Sequence, residues 1–247
     1  MAFYQQISDY YDALFPADAE EMAFVRGLLP SGATALDIGC GTGNKTVFLA
    51  EGAAWVEGVD LDAAMIARAV ADNARPNIRY RTLHMDGLGK TFAGQRFDAI
   101  VCLGNTLVHL PSPEGIQAFL ADMAGLLAAS GCVIVQILNY DRILDRDALE
   151  LPVLETPHIR FTRAYRRDGR LLRFLTALED KTTGAVLRND IPLYPLRMGE
   201  LTAMLRGVGL GSHYFGSYQG DAHTADSFVT IAHCQRDTAV SPQGEHE

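Results

Sequence analysis

A glycine-rich turn between an apolar run and a helical pattern constrains this chain more than any other feature. The segment Ala35–Gly43 reads ALDIGCGTG; it begins in a short apolar run, and residues 44–51 after it have a helical pattern. Glycine at positions 39, 41 and 43 lets the backbone turn tightly and lets a ligand lie against bare main chain. A strand, a glycine turn and a helix in this order predict an open α/β fold with a ligand at the turn.

The same alternation of segments runs through the first two-thirds of the chain. Short apolar runs predict strands, and apolar residues at helical spacing predict helices. Asp18 begins a capping box before the first helix, and Asp62 can cap a later one. Strands are predicted at 33–38, 54–59, 77–83, 97–103 and 131–138, and helices at 18–29, 44–51, 63–73 and 113–129. This order predicts a Rossmann-like, doubly wound parallel sheet with helices on both faces.

The last third of the chain has an antiparallel pattern. The turn Arg167–Arg170 joins two apolar runs and predicts a hairpin. Strands are predicted at 161–165, 171–178, 187–193, 210–218 and 227–233, with a helix at 199–207. The polar residues 236–247 are expected to be a disordered tail.

Composition narrows the class of protein. The chain has 247 residues and a net charge of −9, which argues against binding the phosphate backbone of nucleic acid. No metal site is expected, because the cysteines at 40, 102, 132 and 234 lack metal-ligand spacing, and buried reduced thiols are the simplest interpretation. The N-terminus has no signal-peptide pattern, and no apolar run is long enough to span a membrane. We therefore expect a cytoplasmic protein without membrane partners, and the sequence leaves a homodimer open.

Two details of the glycine turn bear on its ligand. Nicotinamide-binding proteins use a similar glycine cluster, but their spacing is Gly-x-Gly-x-x-Gly, whereas this turn has Gly-x-Gly-x-Gly. Asp37 precedes the first glycine by two residues. A carboxylate there suits the cationic amino group of an amino-acid tail and would repel a pyrophosphate.

Acidic residues also follow the second and third strands. Asp60 can accept hydrogen bonds from both hydroxyls of a ribose, which does not distinguish a dinucleotide from other nucleosides. Asp86 can accept a hydrogen bond from an adenine amino group, and Leu61 and Met85 can sandwich the ring. Each carboxylate could equally be a helix cap or a loop residue, but their occurrence at successive strand ends favours a nucleoside site.

With these motifs the sequence resembles the class I S-adenosylmethionine-dependent methyltransferases. ALDIGCGTG matches the family's first motif, GVDLDAAMI the acidic second motif, and HMDGL the adenine motif. RFDAIVCLGNTLVHL matches the fourth strand and its loop. The resemblance implies S-adenosylmethionine as the cofactor and a C-terminal antiparallel strand in the sheet. The cofactor contacts that we predict are Asp37, Gly39, Cys40, Gly41, Gly43, Asp60, Leu61, Met65, Met85, Asp86, Gly87 and Leu103.

The loop after the fourth strand and the N-terminal aromatic residues are the candidates for catalysis. Asn105 and His109 lie where open α/β sheets bind ligands, and His109 can take a proton near neutral pH, although it could also simply pack or cap the next helix. In similar small-molecule methyltransferases an N-terminal segment closes over the cofactor. That likeness implies that Tyr11 or Tyr4 touches the donor or the acceptor, while an aromatic helix packed on the core is the alternative.

The segment between the fifth strand and the last helix is the candidate for acceptor recognition. Similar enzymes that act on glycine, sarcosine or small amines carry a β-rich insert here. An acceptor carboxylate could be bound bidentately by Arg197 or by one of the insert's arginines, which are Arg160, Arg163, Arg166, Arg167, Arg170 and Arg173. Among these we single out Arg160 and Arg197, with Tyr194 and His158 as further candidates, although such arginines more often lie on a solvated face.

The sequence thus predicts a division of the chain into four parts and one enzymatic activity. Residues 1–29 are expected to form a helical lid, 30–139 and 196–235 the cofactor-binding core, 140–195 the substrate-side insert, and 236–247 the tail. The expected activity is methyl transfer from S-adenosylmethionine to a small molecule, with an amine nitrogen preferred over oxygen. An NAD-dependent oxidoreductase and a non-catalytic S-adenosylmethionine-binding module are the alternatives.

Overall fold

The computed structural model describes residues 7–237, and its strands form two separate sheets. Within that range the strands are β1 (Thr34–Ile38), β2 (Trp55–Asp60), β3 (Ile78–Thr82), β4 (Phe97–Cys102), β5 (Leu127–Leu138), β6 (Leu154–Glu155), β7 (Ile159–Asp168), β8 (Leu171–Asp180), β9 (Val186–Leu193), β10 (Leu210–Phe215) and β11 (Val229–Arg236). The larger sheet has the order β10-β11-β5-β4-β1-β2-β3, and the smaller one has the order β6-β7-β8-β9.

The larger sheet is parallel except for β11. The strand β11 pairs antiparallel with both β5 and β10, whereas the pairs among β1 to β5 are parallel. This arrangement confirms the predicted fold class, with its C-terminal antiparallel strand and its small antiparallel β sheet.

The α-helices of the described residues connect these strands. They are α1 (Tyr11–Leu14), α2 (Ala19–Gly27), α3 (Thr46–Ala50), α4 (Ala63–Asp72), α5 (Leu88–Thr91), α6 (Pro113–Leu126), α7 (Tyr140–Asp145) and α8 (Met198–Gly207). Asp18 caps α2 by accepting from the backbone N–H of Glu21, and Asp62 caps α4 by accepting from Ala64 and Met65. Both caps agree with the sequence, because a side-chain oxygen before a helix satisfies its free N–H groups.

Helices cover both faces of the larger sheet, which explains why its central strands are mostly apolar. Leu36 of β1 packs in a cluster that includes Phe119 of α6, whereas the neighbouring Ala35 packs in a cluster with Met22 of α2 and Leu49 of α3. Successive side chains of a strand point to opposite faces, so a strand buried on both sides carries no polar alternation.

The cysteines confirm the interpretation as buried reduced thiols. All four are buried and none forms a disulfide. Burial raises the pKa of each thiol, to about 12 for Cys102 and Cys234. They are therefore neutral groups of the core at physiological pH.

Several boundaries differ from the prediction. Residues 127–129, predicted as the end of a helix, belong to β5, because Leu127 takes an extended conformation and pairs with Phe97. The helix α7 was not predicted, and β10 ends at Phe215 instead of residue 218. Arg236, predicted to begin the disordered tail, is the last residue of β11 and donates hydrogen bonds to the carbonyl oxygens of Ala124 in α6 and Leu127 in β5. The rest of that predicted tail, from 238 onward, lies outside the described residues.

No helix within residues 7–237 has both the length and the apolar character needed to cross a membrane.

Candidate active site

A cavity of about 660 Å³ lies at the carboxyl ends of β1, β2 and β4. Parallel strands place their carboxyl ends at one edge of the sheet, so loops that are distant in sequence meet there. The cavity also reaches the N-terminal segment and the smaller sheet, since Tyr11 and Phe161 line it together with Asp60.

The glycine turn is held in a conformation that few other residues could take. Gly39, Gly41 and Gly43 have φ values of 75°, 56° and 76°. Gly39 and Gly41 line the cavity as predicted, but Gly43 does not. A Cβ atom on Gly43 would lie 2.5 Å from the hydroxyl of Tyr80. This glycine therefore makes room for a tyrosine behind the turn, a requirement that the sequence analysis missed.

Asp37 is buried at the end of β1 and lines the cavity. Its Oδ2 accepts a hydrogen bond from Thr46 Oγ1 at 2.6 Å. Burial raises the pKa of this carboxyl to about 6, although the hydrogen bond and the charge of Lys45 oppose the shift. A nearby cation would therefore gain from pairing with Asp37.

Asp60 lies at the end of β2, and each of its carboxylate oxygens accepts a hydrogen bond from a backbone N–H group. Its Oδ2 accepts from the N–H of Gly41 at 2.8 Å, and its Oδ1 accepts from the N–H of Asp62 at 2.9 Å. Burial raises the pKa of its carboxyl above the ordinary value, and these two hydrogen bonds oppose the rise. Each carboxylate oxygen has a second lone pair, so the group can still accept from a ligand hydroxyl.

The wall next to Asp60 is apolar. The predicted contacts Leu61, Met65 and Met85 line the cavity, and so do Cys40 and Leu103. These side chains offer a flat aromatic ring an apolar surface on which to lie.

Asp86 and Gly87 are not among the residues that line the cavity. The side chain of Asp86 is 78 % exposed, and its Oδ1 lies 2.6 Å from Nδ1 of His84, which does line the cavity. The adenine contact of Asp86 stays a prediction.

The loop after β4 brings Asn105 and His109 into the cavity lining. Asn105 has a φ of 66°, a conformation that asparagine tolerates better than most residues. Its Nδ2 donates to Tyr140 Oη at 3.0 Å, and its Oδ1 accepts from the N–H of Leu138 at 3.0 Å. Two bonds to the protein thus hold the amide in place. Burial lowers the pKa of His109 to about 4, so its ring is neutral at pH 7.

The N-terminal segment is tied to both sides of the cavity. Thr42 donates to Asp12, and Asn44 donates to the carbonyl oxygen of Phe15, which joins the segment to the glycine turn. The hydroxyl of Tyr10 donates to Asp180 at 3.0 Å, which joins it to the smaller sheet. Tyr11 lines the cavity, while Tyr4 lies outside the described residues.

Three of the predicted acceptor contacts are not among the cavity-lining residues. Arg160 is exposed on β7. Tyr194 donates to Glu200 at 2.6 Å, and Arg197 forms ion pairs with Asp141 and Asp145 of α7. Arg197 and Tyr194 thus stabilise the junction between the insert and α8, and the exposed His158 also lies away from the cavity.

The smaller sheet contributes a different set of side chains to the cavity. Phe161, Arg163 and Tyr165 of β7 line it, with Phe174 of β8. Strand residues two apart share a face, so Arg160 points away from the cavity because Phe161 points into it. The alternation of apolar residues along β7 was the signal in the sequence that could have identified this face.

Taken together, the chemistry of these side chains fits S-adenosylmethionine. Asp60 can bind ribose hydroxyls, Leu61 and Met85 offer apolar surface to an adenine ring, and Asp37 offers a carboxylate to a cationic amino group. All four face one cavity.

Comparison with known proteins agrees with this fit. Residues 35–131 match the model of a methyltransferase domain family. The chain is 29 % identical over 226 residues to a glycine/sarcosine N-methyltransferase of Aphanothece halophytica, covering 90 % of this chain and 83 % of the relative. A glycine/sarcosine N-methyltransferase of Parasynechococcus marenigrum is also 29 % identical, over 242 residues, covering 93 % of this chain and 83 % of that relative. Together these similarities support a class I S-adenosylmethionine-dependent methyltransferase.

Solved structures show the same fold for this methyltransferase. The CcbJ methyltransferase from Streptomyces caelestis superposes with a TM-score of 0.79 at 21 % identity, over 93 % of this chain and 96 % of that one. A methyltransferase from Clostridium acetobutylicum superposes with a TM-score of 0.78 at 16 % identity, over 94 % of this chain and 98 % of that one.

The assignment settles the choice of cofactor class. The methyl donor of this methyltransferase is S-adenosylmethionine, as the glycine spacing and Asp37 predicted. No finding supports the NAD-dependent oxidoreductase or the non-catalytic module.

Several residues that line the methyltransferase's cavity were not predicted from the sequence. Lys45 and Glu21 line it and form an ion pair of 2.8 Å, and Tyr218 lines it from the loop after β10. The charged pair left no trace in the sequence, because Glu21 lies in α2 and Lys45 lies directly before α3, far away in the chain.

Proposed function

We propose that this methyltransferase transfers a methyl group to the amine nitrogen of a small molecule. The similarity to glycine/sarcosine N-methyltransferases over most of the chain carries the proposal. An amino-sugar N,N-dimethyltransferase of Streptomyces fradiae is also similar, 32 % identical over 118 residues, which are 48 % of this chain and 44 % of that enzyme. Both kinds of relative are named for methylation of an amine nitrogen.

The cavity supports a small acceptor. We place the acceptor at the end of the cavity that is lined by the N-terminal segment and the smaller sheet, among them Tyr11 and Phe161. The net charge of −9 does not favour a polyanionic substrate. An acceptor held between these walls is shielded from water and kept in line with the donor, and such alignment lowers the barrier to displacement.

Bound S-adenosylmethionine supplies an activated methyl group on a sulfonium sulfur. The nitrogen needs a free electron pair to attack it, so the acceptor must be neutral when it reacts. Burial lowers the pKa of His109 to about 4, so its neutral ring is too weak a base to hold the proton of an ammonium; the amine loses that proton to solvent, and His109 serves as a hydrogen-bonding group beside it. Asn105, held by Tyr140 and Leu138, keeps the loop that carries His109 in its shape.

We also propose a separate role for each part of the chain. Residues 30–139 and 196–235 bind the cofactor, 140–195 form the acceptor wall, and 1–29 close the cavity. The four buried thiols support a reducing location such as the cytoplasm.

Incubation with methyl-labelled S-adenosylmethionine tests the proposal. The acceptors offered are glycine, sarcosine, an amino sugar, and amino acids with larger side chains, each with its hydroxy analogue as the matched control. We expect label in an amine product that survives alkaline hydrolysis. Label only in alkali-labile esters, or only in the hydroxy analogues, would contradict nitrogen as the acceptor atom.

A further inference from the structure

The acceptor end of the cavity is mostly aromatic. We call this region the acceptor chamber and define it by six lining residues that come from the N-terminal segment, β7 and β8. They are Tyr11, Phe15, Phe161, Arg163, Tyr165 and Phe174. Large apolar side chains dominate this wall, so a molecule that fills it must bury an apolar surface of its own.

Arg163 is the charged group of the chamber. Its guanidinium carbon lies 5.9 Å from the centre of the Phe15 ring and 5.8 Å from that of Phe161. Its Nη2 donates to the carbonyl oxygen of Pro152 at 2.9 Å. The hydrogen bond and the two rings fix the plane of the guanidinium before any ligand arrives.

The same arginine has an unsatisfied donor. Among the described residues, Nε of Arg163 is buried and has no hydrogen-bond partner. A buried donor without an acceptor costs free energy, and buried polar groups of native proteins are nearly always paired. Burial also lowers the pKa of Arg163, because the charged guanidinium is partly removed from water. An anion in the chamber would relieve both penalties.

The polar groups near Arg163 are engaged elsewhere. The side chain of Tyr165 is hydrogen-bonded to Tyr140. Burial raises the pKa of Tyr165 to about 12, so it stays a neutral hydroxyl. The ring of Phe174 lies 5.5 Å from that of Tyr165 and extends the apolar wall.

We propose that Arg163 binds the carboxylate of the acceptor, and that the acceptor is an amino acid with an apolar side chain. The proposal rests on the proposed amine methylation and specifies its substrate class. A single guanidinium balances one carboxylate and matches it in a bidentate geometry. The aromatic wall takes the apolar side chain, while the amine faces the cofactor end of the cavity.

The acceptor chamber is a poor match for glycine and for amino sugars, the substrates that appear in the names of the relatives. Glycine has no side chain to cover the aromatic wall. An amino sugar would bring several hydroxyls against apolar rings, and each buried hydroxyl without a partner costs binding energy.

Calorimetry with the enzyme saturated with S-adenosylhomocysteine tests the proposal without turnover. Phenylalanine and leucine are the probes. Phenethylamine and isoamylamine are their counterparts without the carboxylate, and glycine lacks the side chain. The variants are Arg163→Gln and Arg163→Lys. The matched control is Arg160→Gln, on the same strand but on its exposed face.

We expect phenylalanine or leucine to bind at least about 10-fold more tightly than glycine and than its own amine counterpart. Arg163→Gln should lose about 10- to 100-fold of that affinity, the range for a hydrogen bond to a charged group. Arg163→Lys should recover part of the loss, and Arg160→Gln and the affinity for S-adenosylhomocysteine should not change.

Two outcomes would overturn the inference. In the first, glycine or the amines bind as tightly as phenylalanine and leucine do. In the second, Arg163→Gln leaves the affinity for phenylalanine and leucine unchanged. Failure of the proposed function is a separate result. It would appear as amino acids that bind through Arg163 but receive no methyl group on nitrogen.

Discussion

The carboxylate of Asp60 accepts a hydrogen bond from the backbone N–H of Gly41 over 2.8 Å and thereby joins the end of β2 to the glycine turn. The two residues line the same cavity. The bond therefore couples the shape of the turn to the position of the group that we expect to hold the ribose.

Replacing Asp60 with alanine should weaken the binding of S-adenosylhomocysteine by about 1–3 kcal/mol, the range for a lost hydrogen bond to a charged group. Calorimetry measures the change. Asp72→Ala, at the exposed end of α4, is the control and should bind as the wild type does. Unchanged affinity in a folded Asp60→Ala variant would refute the ribose role.

Asp37 should make cofactor binding depend on pH. Burial raises its pKa to about 6, so the carboxyl is about half protonated at pH 6 in the free enzyme. Pairing with the cationic amino group of the ligand favours the ionised form and lowers the pKa, so binding at pH 6 should release protons. Affinity for S-adenosylhomocysteine should therefore rise from pH 5 to pH 7.

Calorimetry at pH 6 in two buffers with different ionisation enthalpies measures this proton release. Asp37→Asn should abolish both the release and the rise in affinity. Proton release of the same size in the variant would show that another group titrates.

His109 should affect stability in mildly acidic solution. Its pKa is lowered from 6.5 to about 4, so the unfolded chain binds a proton on His109 at a higher pH than the folded chain does. The folded state consequently loses stability as the pH falls from about 6.5 to about 4, on the order of 2–3 kcal/mol for this one group.

Thermal unfolding between pH 4 and pH 8 tests the effect of His109. His109→Gln should show a smaller fall in Tm across the acidic range than the wild type. The exposed His158→Gln variant should retain the wild-type profile. Parallel profiles for His109→Gln and wild type would show that the ring is not buried in a neutral state.

Gly43→Ala should destabilise the protein more than Gly94→Ala. Both glycines have a positive φ, 76° and 79°, so alanine is strained at either position. At Gly43 the added Cβ would also lie 2.5 Å from the Tyr80 hydroxyl, whereas no atom lies within 4 Å of a Cβ at Gly94. Overpacking of this kind costs about 1–3 kcal/mol.

Denaturant unfolding of the two glycine variants isolates that contact, because the backbone strain is common to both. Equal losses of stability would mean that Tyr80 moves away without cost.

The strand β7 shows how much of the acceptor wall can be predicted from the alternation of residues in the sequence. The sequence analysis recognised the hairpin of β7 and β8 and its turn, and the structure confirms both. Among the arginines of the insert the prediction nevertheless singles out Arg160, whereas Arg163 is the one of them that lines the cavity. The two differ by an odd number of residues, so they occupy opposite faces, and the apolar neighbours at Ile159, Phe161 and Tyr165 mark the inner one.

The sequence by itself determined the α/β fold, the glycine turn and the acids at the ends of β1 and β2. Each of these depends on local order or periodicity: an apolar run, a positive φ that favours glycine, a carboxylate at the end of a strand. Such signals lie within a few residues of one another, and the parallel sheet then brings them to one edge.

Only the tertiary structure decided which side chains face the acceptor. Phe15 of the N-terminal segment meets Phe161 of β7, and Tyr10 reaches Asp180 of β8. These contacts join segments that are far apart in the chain, and they depend on how the smaller sheet packs over the cavity. No local pattern encodes that packing, because the apolar alternation along β7 marks its inner face but not which distant segment that face meets.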